Sequence, residues 1–104
     1  MVSKEEFKRE VWEIAEEIHA NPKQIRVRSM KSKLGSCSSG KVVTFSDSVL
    51  ALDISIRREA IIHELLHLRY KNHGKMFRTL LRRYFELQTN SRNDPKGIIG
   101  EEIL

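Results

Sequence analysis

Residues 58–74, REAIIHELLHLRYKNHG, carry the strongest structural and chemical pattern in the chain. Within them, the residues from His63 to His67 fit the metal-binding pattern H-E-x-x-H. Side chains four residues apart lie one turn apart on the same face of a helix, so His63 and His67 can bind one metal ion. Glu64 lies about 100° around the helix from His63, where it can remove a proton from a water on that metal. The pattern predicts one zinc ion held by this pair, with Glu64 as the general base.

A catalytic zinc needs a third protein ligand and an open position. His73 follows His67 by six residues, which in a continued helix would be about 9 Å along the axis, too far to share the ion. His73 can therefore bind only if the helix stops near Tyr70 and the chain turns back. Asn72 and Gly74 favour such a turn. We predict His73 as the third ligand. The alternative ligands are Glu86 and His19.

The segments before this stretch predict one helix and a small sheet. Ser3 and Glu6 form a capping-box pattern that begins a helix, and the apolar residues that follow at helical spacing predict its end near Asn21-Pro22. Residues 25–28 alternate apolar and basic side chains, which is typical of a half-buried strand, and residues 42–45 form another strand. The small, polar stretch 34–40 between them is either a loop or a short strand.

The segments around and after the motif predict two further helices. Asp53 or Ser55 caps a helix from about Ile56 to about Tyr70, with the H-E-x-x-H motif in its middle. A third helix follows, and its apolar face consists of Phe77, Leu80, Leu81, Tyr84 and Leu87. The predicted fold class is α+β: an N-terminal helix, a three-stranded sheet, an active-site helix, a C-terminal helix and an extended tail.

Length and composition bound the remaining choices. The chain has 104 residues and 39% hydrophobic content, which suits one domain with a modest core. It contains no apolar run of the roughly 20 residues that a membrane span needs. The N-terminus lacks the apolar core of a secretory signal, and the lone Cys37 cannot form an internal disulfide. We therefore expect a cytoplasmic protein.

The net charge of +5 leaves a nucleic-acid partner open, because residues 57–83 are rich in Arg and Lys. They lack the interleaved aromatic side chains on which single strands stack, so we favour acidic and basic helices that face each other or simply stay solvated. One alternative function is a metal-dependent endoribonuclease, although Glu64 is a general base that such a family with the same histidine spacing lacks. A second is a non-enzymatic nucleic-acid-binding module with a structural zinc. That site would need Cys37 as a ligand, whereas we interpret Cys37 as a small buried residue.

The two motifs together support a resemblance to a known family. His63-Glu64-x-x-His67-x5-His73, preceded by the stretch GSCSS at 35–39, resembles metal-dependent hydrolases with a G-S-C-S motif and, at this chain length, the minigluzincins. These are small zinc metallopeptidases. One departure is Leu34, where the broader family often has Trp, and it concerns local packing rather than the metal site.

The resemblance implies a minimal zincin-like fold with His63, His67 and His73 as zinc ligands and Glu64 as the base, acting on peptide or protein substrates. It also implies synthesis in a latent form. We therefore predict a catalytic domain over 1–90 and a C-terminal tail over 91–104 that blocks the cleft. The tail's sequence agrees with this, because it combines apolar residues that can fill pockets with carboxylates that can approach a metal.

Overall fold

A computed structural model of the protein describes residues 1–89. It contains three helices and a three-stranded sheet, as the sequence predicts. In chain order these are α1 (Lys4–Glu17), β1 (Gln24–Arg28), β2 (Gly35–Cys37), β3 (Val42–Ser46), a 3-10 helix (Asp47–Ala51), α2 (Ile54–Leu66) and α3 (Lys75–Thr89). The prediction of a blocking tail over 91–104 falls outside the described residues. No helix within 1–89 is both long and apolar enough to cross a bilayer.

The first helix begins as predicted and ends earlier than predicted. The Ser3 hydroxyl accepts a hydrogen bond from the Glu6 N–H, and the Glu6 carboxylate accepts one from the Ser3 N–H, both at 3.0 Å. The predicted end near Asn21-Pro22 was wrong, because His19 adopts a left-handed conformation with φ 60°. The Ala20 N–H then bonds back to the Ala15 carbonyl at 2.8 Å, which terminates α1 at Glu17.

The sheet has the order β1-β3-β2, so β3 is central and β2 lies at an edge. β1 runs parallel to β3, and β2 runs antiparallel to it, with Cys37 opposite Val43 and Gly35 opposite Phe45. The undecided stretch 34–40 is therefore a short strand followed by a turn. α1 packs against β1 and α2, while α2 packs against β2 and α3. This arrangement places the edge strand beside the helix that carries the H-E-x-x-H motif.

The motif helix ends before the predicted Tyr70. Its last turn tightens, because the N–H groups of His67, Leu68 and Arg69 bond to carbonyls only three residues back, at 3.0–3.1 Å. His67 consequently occupies the C-cap of α2. The expectation that the motif lies in the middle of its helix was wrong. The chain turns directly after the second histidine, as a shared metal ion with His73 requires.

The core lies between the sheet and the helices. It is centred on fully buried side chains from every layer, among them Phe7, Val11, Phe45, Ile61 and Leu65. On α3, Phe77 and Leu81 of the predicted face are buried, Leu80 and Tyr84 are half-buried, and the side chain of Leu87 lies outside the part described. The acidic first helix does face the basic second helix. Glu10 accepts hydrogen bonds from Arg57 at 2.8 Å and from Arg58 at 3.1 Å.

Candidate metal centre

Three histidines converge where α2 ends and α3 begins. His63, His67 and His73 each offer one ring nitrogen, and these nitrogens lie within 4.8 Å of one another. The Nε2 atoms of His67 and His73 are 2.9 Å apart. Two nitrogens bound to one tetrahedral zinc at its usual distance are about 3.3 Å apart, so the pair needs to open by only a few tenths of an ångström. The His67–His73 pair therefore fits a divalent metal with little movement, and His63 offers a third nitrogen within 4.8 Å of both.

The tight last turn of α2 also orients His67. The Tyr70 N–H bonds to the Leu66 carbonyl at 2.8 Å, which fixes the position of the Tyr70 carbonyl. That carbonyl lies 3.0 Å from Nδ1 of His67 and can only accept, so Nδ1 carries the proton. The lone pair is then on Nε2, the atom that faces His73. The turn that ends the helix thus selects the tautomer that a metal needs.

His63 is held in the same way by its neighbour. Its Nδ1 donates to Oε2 of Glu64 at 3.1 Å, and the two side chains are only 3% and 5% exposed. Nε2 of His63 is buried and has no hydrogen-bond partner among the described residues. An unpartnered buried nitrogen is costly in a protein interior and calls for an explanation. A metal ion bound between His63, His67 and His73 would supply the missing partner.

The third histidine is less buried, and its surroundings favour the neutral ring. Burial lowers the pKa of His73, and the electrostatic effect of the neighbouring His63 and His67 side chains lowers it further. Metal binding requires neutral imidazole, so the lowered pKa favours the competent form at neutral pH. The alternative ligands lie elsewhere. Glu86 is exposed on α3, and His19 is exposed at the end of α1, so neither belongs to this group.

One aromatic ring supports all three imidazoles. Phe77 in the first turns of α3 is 1% exposed, and its ring centroid lies 5.3 Å from His63, 4.8 Å from His67 and 4.7 Å from His73. The sequence predicts Phe77 only as part of an apolar helix face. Its contact with the histidines depends on the turn between α2 and α3, which periodicity does not reveal.

The edge strand touches the carboxylate directly. A Cβ atom at Gly35 would lie 2.8 Å from Cγ of Glu64 and 3.0 Å from its Cδ, so only glycine allows β2 to approach this closely. The sequence gives a signal for this residue, since Gly35 begins the GSCSS motif, but the motif does not say what the glycine contacts. Gly35 thus belongs to the site as a spacer that positions Glu64 against the strand.

An open cleft of about 1060 Å³ runs between β2 and the histidines. It is lined by residues of both, namely Gly35, Cys37, His63, Glu64, His67 and His73.

Cys37 is half-buried rather than buried as expected. Burial, and then the nearby Glu64 carboxylate, raises the pKa of its thiol, which keeps it protonated and a poor metal ligand. It is not part of the metal-binding group within residues 1–89. Tyr70 and Tyr84 are half-buried, and neither is among the residues of 1–89 that line this cleft.

The chain matches a protein family over most of its length. The model of the YgjP-like metallopeptidase domain matches residues 2–94, nearly the whole chain. A comparison with curated proteins finds no match. The family matched agrees with a metal site built from the histidine group.

Solved structures similar to this one include two metallopeptidase zymogens. The metallopeptidase zymogen of Methanocaldococcus jannaschii jannalysin is 30% identical with a TM-score of 0.67, over 81% of this chain and 93% of that one. The metallopeptidase zymogen of Pyrococcus abyssi abylysin is 21% identical with a TM-score of 0.62, over 77% of this chain and 76% of that one. The second likeness concerns the fold alone. The family match and the two similar structures agree with the resemblance to minigluzincins.

Proposed function

Because this chain belongs to the YgjP-like metallopeptidase family, we propose that it is a zinc-dependent peptidase. His63, His67 and His73 hold the ion, and Glu64 is the general base. The observation that carries this proposal is the buried Nε2 of His63, which has no partner among residues 1–89 and faces two further histidines. Three histidines leave a fourth position open, as in catalytic rather than structural zinc sites.

The metal supplies Lewis acidity when bound, which makes water a better nucleophile and polarises a carbonyl. The chain supplies the rest. Glu64 takes the proton from the attacking water and returns it to the leaving amine, so that it acts first as a base and then as an acid. Its Oε2 also accepts from His63, which holds the carboxylate beside the ligand set. Gly35 keeps the strand close to the same carboxylate.

The substrate backbone would be bound by β2. This strand lies at the edge of the sheet, and it lines the cleft opposite the histidines. An extended peptide can add to such an edge through main-chain hydrogen bonds, with its side chains pointing alternately toward and away from the cleft. Residues 35–37 therefore position the scissile bond along the cleft that Glu64 and the histidines line. Of the two strands within residues 35–46, only β2 can offer a free edge, because β3 is central in the sheet.

The test of this proposal is the pair Glu64→Gln and Glu86→Gln in zinc-loaded protein that ends at Asn93, so that a blocking tail cannot hide cleavage. Loss of a general base lowers the rate by about 10²–10⁴-fold. We expect Glu64→Gln to lose peptide cleavage by that amount and to keep its zinc. Glu86→Gln, which alters an exposed carboxylate outside the site, serves as the control and keeps both. Equal cleavage by Glu64→Gln and the wild type would contradict the role of Glu64, and cleavage of RNA by both would favour the ribonuclease.

We further propose that residues 91–104 hold the protein in a latent form. The support is that the 30% identical jannalysin structure is of a metallopeptidase zymogen, and that this segment combines apolar residues with carboxylates. Deletion of the residues after Asn93 should raise the rate of peptide cleavage. An unchanged or lower rate in a variant that still folds and binds zinc would contradict latency without affecting the peptidase assignment.

A further inference from the structure

The walls of the cleft are strongly basic. Five exposed cationic side chains line it, and they are Lys31, Lys33, Lys41, Arg69 and Lys71. Among the described residues the only carboxylate on these walls is Glu64, which is 4% exposed and engaged with His63. A concave surface with charges of one sign concentrates ligands of the opposite sign. The cleft therefore attracts anions along its whole rim.

The cations occupy both sides of the path that a peptide would take along β2. Lys31 and Lys33 precede the strand, and Lys41 follows the turn after it. Arg69 and Lys71 lie across the cleft, in the turn that joins His67 to His73. A chain paired with β2 would thus have a positive charge near each end and on the facing wall. This placement marks flanking substrate positions rather than the position of the cleaved bond.

We propose that the cleft selects peptide segments whose residues on either side of the cleaved bond carry Asp or Glu side chains. This inference rests on the proposed peptidase function, since it names the substrate class of that site. The acidic flanks contact the lysine and arginine rim, while the residues beside the cleaved bond meet Glu64 and the histidines. The central positions are neutral because the buried Glu64 carboxylate repels a second anion next to it.

A peptide fits this cleft better than a nucleic acid, although both are attracted to cations. Single-stranded nucleic acids gain much of their affinity by stacking bases on aromatic side chains. Within residues 1–89, the cleft walls contain no Phe, Tyr or Trp. The edge strand offers main-chain groups that pair with a peptide backbone. Charge and edge strand together point to an acidic peptide.

The test is a binding measurement on zinc-loaded Glu64→Gln protein, both as the full chain and as a form that ends at Asn93, so that a blocking tail cannot hide binding. Two labelled peptides of equal length share an Ala-Leu centre. The acidic peptide carries Asp and Glu on both flanks, and the neutral peptide carries Asn and Gln at the same positions. We expect the acidic peptide to bind about tenfold more tightly at low salt, because several exposed ion pairs each contribute modestly. The preference should fade as the salt concentration approaches about 1 M, where charges are screened within a few ångströms.

A charge-reversal variant sharpens the test. Lys33→Glu with Lys71→Glu, on the same Glu64→Gln background, places one reversal on each wall and should abolish or invert the preference. Lys23→Glu with Arg26→Glu changes the charge equally at exposed residues outside the cleft, and should leave the preference intact. Zinc content measured on both variants establishes that the histidine site is intact.

Three outcomes would overturn the proposal. These are equal binding of the two peptides, binding of neither peptide by the form that ends at Asn93, and tighter binding of a single-stranded RNA of the same net charge. Failure of the inference is distinct from failure of the proposed function. Cleavage of neutral and acidic peptides at equal rates would leave the peptidase standing without its preference. Selective binding of the acidic peptide with no cleavage by the form that ends at Asn93 would leave a basic peptide-binding cleft without the enzyme.

Discussion

The two ends of α2 bury polar side chains to a similar extent and for different purposes. At the N-terminal end, Arg57 is 7% exposed, and its guanidinium bonds to both carboxylate oxygens of Glu10 and to the Leu52 carbonyl. At the C-terminal end, His63 is 3% exposed, and its Nε2 has no hydrogen-bond partner within residues 1–89. Burial alone does not distinguish these ends, whereas the partners of each polar atom do. A satisfied group indicates a structural role, and an unsatisfied one indicates a ligand that binds there.

This contrast predicts that changes at the two ends of the helix affect different measurements. Changes at the Glu10–Arg57 end should alter the free energy of unfolding and leave metal affinity unchanged. Changes around His63 should alter metal affinity or catalysis. They should change the free energy of unfolding no more than a comparable substitution elsewhere in the protein does.

The largest expected effect is that of Glu10→Gln. Removing one partner of a buried ion pair leaves the other charge uncompensated, and such changes cost about 3 kcal/mol or more. Denaturant unfolding should show a loss of this size, while zinc affinity of the folded protein stays the same. Glu13→Gln, on the exposed face of the same helix, is the control and should change stability little. A Glu10→Gln protein of unchanged stability would contradict a structural role for this pair.

The helix boundaries illustrate what the sequence can and cannot predict. The start of α1 depends on Ser3 and Glu6, which contact each other three residues apart, so a local pattern suffices. α2 ends at Leu66 because its last turn tightens. Leu68 and Tyr70 still follow Leu65 and Leu66 at helical spacing, so the apolar pattern continues past the true end of the helix. The three histidines that the sequence proposes as ligands lie close together in the structure. Two of them come from H-E-x-x-H, which is also a local pattern, and their role as ligands stays a prediction.

The rest of the site depends on contacts between distant segments. The strand order β1-β3-β2 makes β2 an edge, and the sequence of 34–40 does not determine its pairing partner. The approach of Gly35 to Glu64 joins residues that are far apart in the chain, and so does the packing of Phe77 on the imidazoles. Such contacts follow from tertiary packing, which periodicity does not encode.

The next largest effect should come from Gly35→Ala. The added methyl group would overlap Glu64 and lie 3.0 Å from the Thr44 carbonyl, so the carboxylate must shift. Displacing a catalytic group by about 1 Å lowers the rate by about 100-fold, and zinc content should remain that of the wild type. Gly40→Ala is a matched control, because its nearest neighbour would be Oγ of Ser38 at an ordinary 3.8 Å. Equal cleavage rates for the two variants would mean that Gly35 does not position Glu64.

Phe77→Leu should have a smaller effect and one specific to the metal. The shorter side chain loses contact with the three imidazoles, and changes in groups that orient metal ligands lower affinity by about 10-fold or more. Phe7→Leu removes a similar volume from the core, where Phe7 packs edge-to-face on Phe45 with ring centroids 5.0 Å apart. Both variants should lose about 1–2 kcal/mol of stability. A zinc titration in which both bind equally would place Phe77 with the ordinary core.

The smallest effect concerns the satisfied cap of α1. The Ser3 N–H bond holds the pKa of Glu6 below its ordinary 4.5. A carboxylate whose pKa is lower in the folded state than in the unfolded state stabilises the protein at pH values above the unfolded-state pKa. This stabilisation is lost as the pH falls through the pKa of the folded state. Wild type should therefore be more stable than Glu6→Gln near pH 7, with the difference disappearing below pH 4.5. A difference that grows as the pH falls would contradict the assignment, and zinc affinity should not change.

The central claim is tested most directly by the zinc content of full-length wild type, His73→Ala and Glu86→Ala after exhaustive dialysis. The account predicts one zinc per chain in the wild type and in Glu86→Ala, and loss of that zinc in a folded His73→Ala protein. Stoichiometric zinc in His73→Ala with loss in Glu86→Ala would contradict the three-histidine site. A folded wild type that holds no zinc would contradict the metal centre altogether.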